Sequence, residues 1–203
     1  MNIFYVETSP RRAAQALCDI HVRKMTTETA QMLSTAVWRH LSLPNQTIIR
    51  HIYRPAYLKH PSTQWVGDRL SQYVWAYALL QNLCKEFNYR GFKNGEPHAS
   101  EALLHALGSF EVLAALPTEG EFEAPPQCMP EKYYHIDTMQ AYRDYYLGEK
   151  MGFAVWECGR PAPDWVVDGA LERINERGSD DWTPYTKEDW REGWDQWVAH
   201  EYA

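Results

Sequence analysis

The stretch that decides the fold is residues 19–36, DIHVRKMTTETAQMLSTA. At the 3.6-residue helical period, Val22, Met25, Thr29, Leu33 and Ala36 form one stripe, suited to a core. His21, Lys24, Glu28, Gln31 and Thr35 form the neighbouring stripe. A solvated face seldom needs His, Lys and Glu stacked at i, i+3 and i+7, whereas a site that holds an anion and moves a proton does. The competing account is a surface ion pair between Lys24 and Glu28, and spacing alone favours it. His21, Lys24 and Glu28 are the candidate catalytic residues.

On either side of this stretch the chain reads as helix after helix. Ser9-Pro10 predicts a helix start near residue 10, with a bend or restart near Asp19 and an end near Leu41. A second long helix is expected from Ser62 to about Phe87. It would bury Val66, Leu70, Tyr73, Val74, Tyr77, Leu80 and Cys84, and carry Asp68, Arg69, Gln72 and Glu86 on its other face. A third is expected over 98–116, weakened at Gly108. Residues 117–136 contain Pro117, Pro125, Pro126 and Pro130 and read as a long surface loop. Asp137 predicts an N-cap for a helix ending around Gly148, and residues 165–177 predict another. Thr186-Lys187-Glu188-Asp189 resembles a capping box ahead of a final helix to about His200. Only Asn2–Val6 has strand character, and it lacks a partner. The expectation is an all-α, single compact multi-helix domain with long surface loops. Residues 1–165 would form the helical catalytic domain, with an acidic, Trp-rich helical extension, 166–203, packed on it.

The chain is long enough for one domain with a real core. No run of about 20 apolar residues is present, and the start lacks the pattern of a secretory signal. Cys18, Cys84, Cys128 and Cys158 are scattered and form no CxxC pair, which predicts reduced thiols in a cytosolic protein. Net charge is −7, but residues 1–100 carry 12 Lys/Arg against 6 Asp/Glu, while residues 101–203 carry 8 against 21. A net +6 half beside a −13 half hints at a polyanion-binding surface in the first. The alternative is that the halves simply attract one another.

Four polar segments exceed what a structural helical domain needs. Besides the His21–Lys24–Glu28 stripe, Lys59 and His60 precede a helix start, where backbone N–H groups favour an anion. KEFNYRGFKNGEPH, residues 85–98, places Arg90, Lys93 and His98 around a turn. AYRDYYLGEKMGFAVWECGRPAPDW, residues 141–165, interleaves Tyr142, Tyr145, Tyr146, Trp156 and Trp165 with Arg143, Lys150 and Arg160. Rings beside cations suit flipped or single-stranded bases, although most of these rings suit a core equally well. There is no phosphate loop, no GxGxxG and no GxSxG elbow. The histidines show no HxxxH spacing, so neither metal nor cofactor is expected.

The opening MNIFYVETSPRRAAQALCDIHVRKMTTETAQMLSTA, the segment HPSTQWV (60–66) and YRDYYLGEKMGFAVWECGRPAPDW (142–165) together resemble small proteins of tailed bacteriophages. The resemblance is strongest to amino acid:DNA transferases of phages that hypermodify thymine. It implies replacement of the phosphate of 5-phosphomethyl-deoxyuridine in DNA by an amino acid, typically glycine through its α-amine, in the cytoplasm of the infected host. DNA and free glycine would be the partners. On that reading Lys24, Lys59, His60, Arg69, Arg143 and Lys150 bind phosphate or substrate, Glu28 or His21 acts as base, and Trp65, Tyr73 or Trp156 stacks on the base. The amine would displace phosphate directly, or a Cys18 or Cys84 thiolate would first add at C6 of the pyrimidine.

Two further readings stay open. A DNA glycosylase or lyase like the small helical pyrimidine-dimer glycosylases also pairs a Glu with an amine; the nucleophile of those enzymes is an N-terminal amine or a Lys, and here Lys24 would be the suspect. A non-enzymatic phage protein that binds DNA or a host protein would explain the charge asymmetry but not the stripe. All the enzyme readings require cations and carboxylates from separate helices to meet in one cleft.

Overall fold

A computed structural model of the chain describes residues 1–41, 46–176 and 186. The described residues form an all-α fold with no strand. Helix α1 spans Pro10–Ala16 and α2 spans Asp19–His40, so the restart expected near Asp19 is a true break. Leu17 and Cys18 are extended there, and the Asp19 N–H donates to the Val155 carbonyl at 2.9 Å. The break thus joins the helix start to a distant loop. Asp19 supplies a first-turn carboxylate, favourable against the positive end of the helix dipole.

Helix α2 is the centre of the molecule. Val22, Met25, Met32, Leu33 and Ala36 are buried along it, as are Thr26, Ser34 and Thr35. The three hydroxyls donate to carbonyls four residues back, at 2.6, 2.7 and 2.8 Å. Those bonds let polar side chains sit in the core at little cost.

After a short α3 (Gln46–Ile49), α4 (Pro61–Asp68) and α5 (Leu70–Tyr89) replace the single helix expected from Ser62. Arg69 is extended between them, and the Leu70 N–H bonds to the Pro117 carbonyl at 2.7 Å. Gln72 and Glu86, expected on the outer face, are 2 % and 3 % exposed, while Val74, expected inside, is 47 % exposed. Helix α4 crosses α2 closely, since a Cβ on Gly67 would lie 3.2 Å from the Ala36 Cβ. Helix α5 packs against both α1 and α2.

The expected third helix is divided at Gly108 into a 3-10 turn (Ala99–Leu103) with α6 (Leu104–Leu107), then α7 (Phe110–Ala115). A Cβ at Gly108 would come within 2.4 Å of the Tyr77 hydroxyl, which donates to the Leu104 carbonyl. The loop that follows contains one 3-10 turn, Glu131–Tyr133. Helix α8 (Thr138–Glu149) begins where expected, its Asp137 carboxylate accepting from the Met139 and Gln140 N–H groups. Helix α9 spans Asp164–Glu176, so the expected 165/166 boundary falls inside it. The rest of the acidic extension, with its expected final helix, lies outside the described residues apart from Thr186.

The N-terminal segment is extended but pairs with no strand. Ile3, Phe4, Tyr5 and Val6 are buried against helices. Its backbone groups find side chains instead: Asn2 N–H donates to Glu28, Val6 C=O accepts from Arg143, and Thr8 C=O accepts from Trp75. A buried backbone needs partners of some kind, and here the helices provide them.

Candidate active site

The N-terminal segment runs along α2 with Asn2 beside Glu28 and Phe4 beside His21. Glu28 is the collecting point. Its Oε2 lies 3.2 Å from the Asn2 backbone nitrogen and 3.8 Å from the Met1 amine, and its Oε1 lies 3.7 Å from Lys24 Nζ. The Glu28 side chain is 16 % exposed, whereas Lys24 is 64 % exposed. One carboxylate therefore holds two amines, that of the chain's first residue and that of a lysine in solvent.

Asn2 anchors this arrangement. Its Nδ2 donates to the Cys128 carbonyl at 3.0 Å, and its Oδ1 accepts from the Ile3 N–H and the Tyr142 hydroxyl, both at 2.8 Å. Through Cys128 it meets the wall of a cleft of about 1000 Å³ lined by His60, Cys128, Met129, Tyr134, His135 and Tyr145, among others. His60 caps α4, its Nδ1 accepting from the Ser62 N–H, so the neutral ring carries its proton on Nε2. Burial lowers the His60 pKa, the N-terminal amine lowers it further, and Glu28 opposes both. His60, Glu28 and the amine thus share one electrostatic environment. Neutral His60 can donate or relay a proton without adding charge.

The remaining candidates are placed differently. His21 is buried, stacked on Phe4 at 4.5 Å between ring centroids, with Nδ1 2.7 Å from the Tyr146 hydroxyl. Burial, helped by Lys150 and Lys24, pushes its pKa down to about 3. It is a neutral core residue that shapes the wall under Phe4. Lys150 lies over the Tyr145 ring at 4.5 Å, and Lys59 is exposed ahead of α4.

Arg143 does not join Glu28. It donates to the Val6 carbonyl and the Glu7 carboxylate and lies over the Trp165 ring. With Glu7, Arg12 and Arg160 it lines a second cleft of about 630 Å³. Asn2 and Val6 are separated by roughly 13 Å of extended chain, so the expected meeting of His21, Lys24, Glu28 and Arg143 in one cavity is corrected. Arg69 is likewise taken up by the loop, bonding the Glu121 carbonyl and the Glu123 carboxylate.

The three expected base-stacking rings are core residues. Trp65, Tyr73 and Trp156 are 6 %, 0 % and 8 % exposed. Their polar atoms donate to the carbonyls of Glu123, Leu107 and Ala16 respectively. None offers a free face to a base. Helical spacing cannot distinguish a ring aimed inward from one aimed at a ligand when the helix is surrounded.

Arg90 and the two inner cysteines are corrected as well. Arg90, expected near a ligand, is buried and bonds Asp19, Glu86 and the Gln15 carbonyl. Arg160 also grips Glu86, and Asp19 accepts the N–H groups of Glu157 and Cys158. Two arginines and two carboxylates form a closed network that ties α2, α5 and the 157–160 loop together. The Cys18 and Cys84 thiols are buried, and burial pushes both up, Cys84 to about 12. Neither is an activated nucleophile.

The Asn2 anchor and the wall from Cys128 to Ile136 were not apparent in the sequence, and the N-terminal amine entered only through the likeness to pyrimidine-dimer glycosylases. A polar Asn ahead of the apolar run 3–6 was a weak signal for the anchor. The proline-bounded loop offered none for its inward-facing side.

The arrangement of a helix-borne Glu with amines at a cleft narrows the chemistry. Residues 1–100 match the family model of pyrimidine dimer DNA glycosylases. The matched part, just under half of the chain, contains Glu28, Lys24, His60 and the whole N-terminal segment. No curated protein and no solved structure gives a match. The family match overturns the resemblance to amino acid:DNA transferases and points to a DNA glycosylase. With the transferase go phosphomethyl-deoxyuridine and glycine as substrates, while DNA as the partner is retained.

Proposed function

We propose that this protein is a DNA glycosylase that excises a damaged pyrimidine through an amine nucleophile held by Glu28. The observation that carries the reading is the Glu28 carboxylate between the Met1 amine and Lys24, at 3.8 and 3.7 Å, tied through Asn2 to Cys128 on the cleft wall. The match of the same residues to pyrimidine dimer DNA glycosylases supports the substrate class.

The chemistry follows from the residues present. Glu28 takes a proton from an ammonium group, freeing the lone pair. The amine attacks C1′ of the deoxyribose as the bond from C1′ to the base breaks. The bonding pair leaves with the base, which then takes up a proton. Opening of the sugar ring, with loss of the second amine proton, leaves an imine at C1′. The Met1 amine is the favoured nucleophile, since it adjoins Asn2, whose side chain bonds the Cys128 wall of the cleft, whereas Lys24 is 64 % exposed. DNA enters with the target nucleotide turned out of the stack, as enzymes that act on a nucleotide within a duplex require.

The test is borohydride trapping on a duplex with a defined cyclobutane thymine dimer. A covalent adduct is expected, and peptide mapping assigns it to the Met1 amine or to Lys24. Undamaged thymine duplex should give none. Absence of both the adduct and glycosyl-bond cleavage in dimer DNA, read as a new abasic site, overturns the reading.

A further inference from the structure

Ile136 is 99 % exposed, more than any other large apolar side chain among the described residues. Single exposed apolar residues are ordinary, so exposure alone decides nothing. The setting is what matters. The His135 N–H donates to Gln127 Oε1 at 3.0 Å, and Gln127 Nε2 donates back to the His135 carbonyl at 2.6 Å. On the other side the Asp137 N–H donates to His135 Nδ1 at 3.0 Å, and the Asp137 carboxylate caps α8. Both neighbours of Ile136 are tied down. The backbone that carries it is held in place, and the isoleucine projects from an anchored turn.

That turn lines the cleft whose Cys128 wall is joined through Asn2 to Glu28. Ile136, Tyr134 and His135 line it together, and Tyr134 is 56 % exposed. An enzyme that turns a nucleotide out of a duplex leaves a gap in the stack. Proteins that unstack DNA fill such gaps with rigid apolar wedges, isoleucine among them. We infer that Ile136 is the wedge of this protein, inserted into duplex DNA at the position vacated by the nucleotide that enters the cleft. The inference rests on the glycosylase reading and adds the residue that makes duplex DNA, rather than an unpaired strand, its substrate. Tyr134 borders the same gap and offers a ring against the adjacent base.

The experiment uses the full chain with Glu28→Gln to stop turnover, and a dimer duplex carrying 2-aminopurine beside the lesion. Binding of E28Q should raise the fluorescence as the probe unstacks. Addition of Ile136→Ala should abolish most of that rise, and Ile136→Leu should restore it. In the otherwise unaltered protein, Ile136→Ala should slow excision from the duplex on the order of tenfold, while excision from a dimer in an unpaired bubble stays unchanged. Equal fluorescence and equal duplex excision with and without Ile136 overturn the wedge. If the unaltered protein excises nothing yet unstacking still depends on Ile136, the wedge stands and the glycosylase reading falls. If excision proceeds with no unstacking signal, the reverse holds.

Discussion

The backbone N–H of Asn2 donates to Glu28 Oε2 at 3.2 Å across 26 residues of chain. This bond fixes the start of the chain on α2 and sets the distance between amine and carboxylate. Replacing Glu28 by Gln keeps the size and an oxygen acceptor but removes the base. Excision and imine trapping should fall by about two to four orders of magnitude, with dimer-duplex affinity in a filter-binding assay changed little. Retention of trapping by E28Q would exclude Glu28 as the proton acceptor.

Asn2 itself is expected to act as a positioning residue. Asn2→Ala removes the bonds to the Cys128 carbonyl and from the Tyr142 hydroxyl, while Tyr142 keeps the Pro126 carbonyl at 2.7 Å. Stability should drop by about 1 kcal/mol. The amine would lose its register, so kcat should fall with KM nearly constant. Asn2→Asp should recover part of kcat, because its carboxylate can still accept from Tyr142. A rise in KM with kcat unchanged would point to substrate contact instead.

Acid should destabilise the fold through His21. Its folded-state pKa of about 3 lies below the ordinary 6.5, because burial disfavours the charged ring. Above pH 6.5 both folded and unfolded states carry a neutral ring and the full stability is present. As pH falls from 6.5 toward 3, only the unfolded state takes the proton, so stability declines by up to about 1.4 kcal/mol per unit. His21→Phe preserves stacking on Phe4 and should flatten the Tm profile between pH 6 and 4. It should also cost stability at pH 8 by removing the hydrogen bond between His21 Nδ1 and the buried Tyr146 hydroxyl. An unchanged slope in the variant would remove His21 from the account.

The buried network makes Arg90 a stability residue. Its side chain is fully buried and neutralises Asp19 and one side of Glu86. Arg90→Met should cost about 3–5 kcal/mol by leaving Asp19 without its cation, read as a lower urea midpoint. The double change Arg90→Met with Asp19→Asn should be less destructive than the single one. Additive losses would show that the two do not act as a pair.

Thiol labelling should report the cleft. Cys128 lines it and is partly exposed, whereas Cys18 and Cys84 are buried with raised pKa values. Iodoacetamide should label Cys128 well before Cys18 or Cys84, and dimer DNA should slow that labelling. Labelling of Cys84 at the rate of Cys128 would contradict the packing of α5.

The helical fold was legible because periodicity, Pro10, Gly108 and the Asp137 cap act locally, within a few residues of chain. The break at Arg69 was not, because it depends on a hydrogen bond from Leu70 to Pro117. Within α5 the faces of Gln72, Glu86 and Val74 were misread as well, because residue type was taken for orientation: Glu86 is held inside by Arg90 and Arg160. Of the candidate site, Lys24, Glu28 and His60 come together, since two share a helix face and the third caps a helix packed on it. Arg143, Trp65, Tyr73 and Trp156 do not join them, because their residue types suit a core or a backbone clamp as well as a ligand.

Sequence alone thus determined where helices begin, which residues of α2 share a face, and that Glu28 lies within reach of Lys24, all properties of one turn or two of chain. Only the tertiary structure decided that the chain's first residues lie against that carboxylate, that His21 stays uncharged, and that an anchored isoleucine stands at the cleft. Those outcomes depend on groups tens to more than a hundred residues apart, whose meeting is set by packing and desolvation rather than by any local pattern.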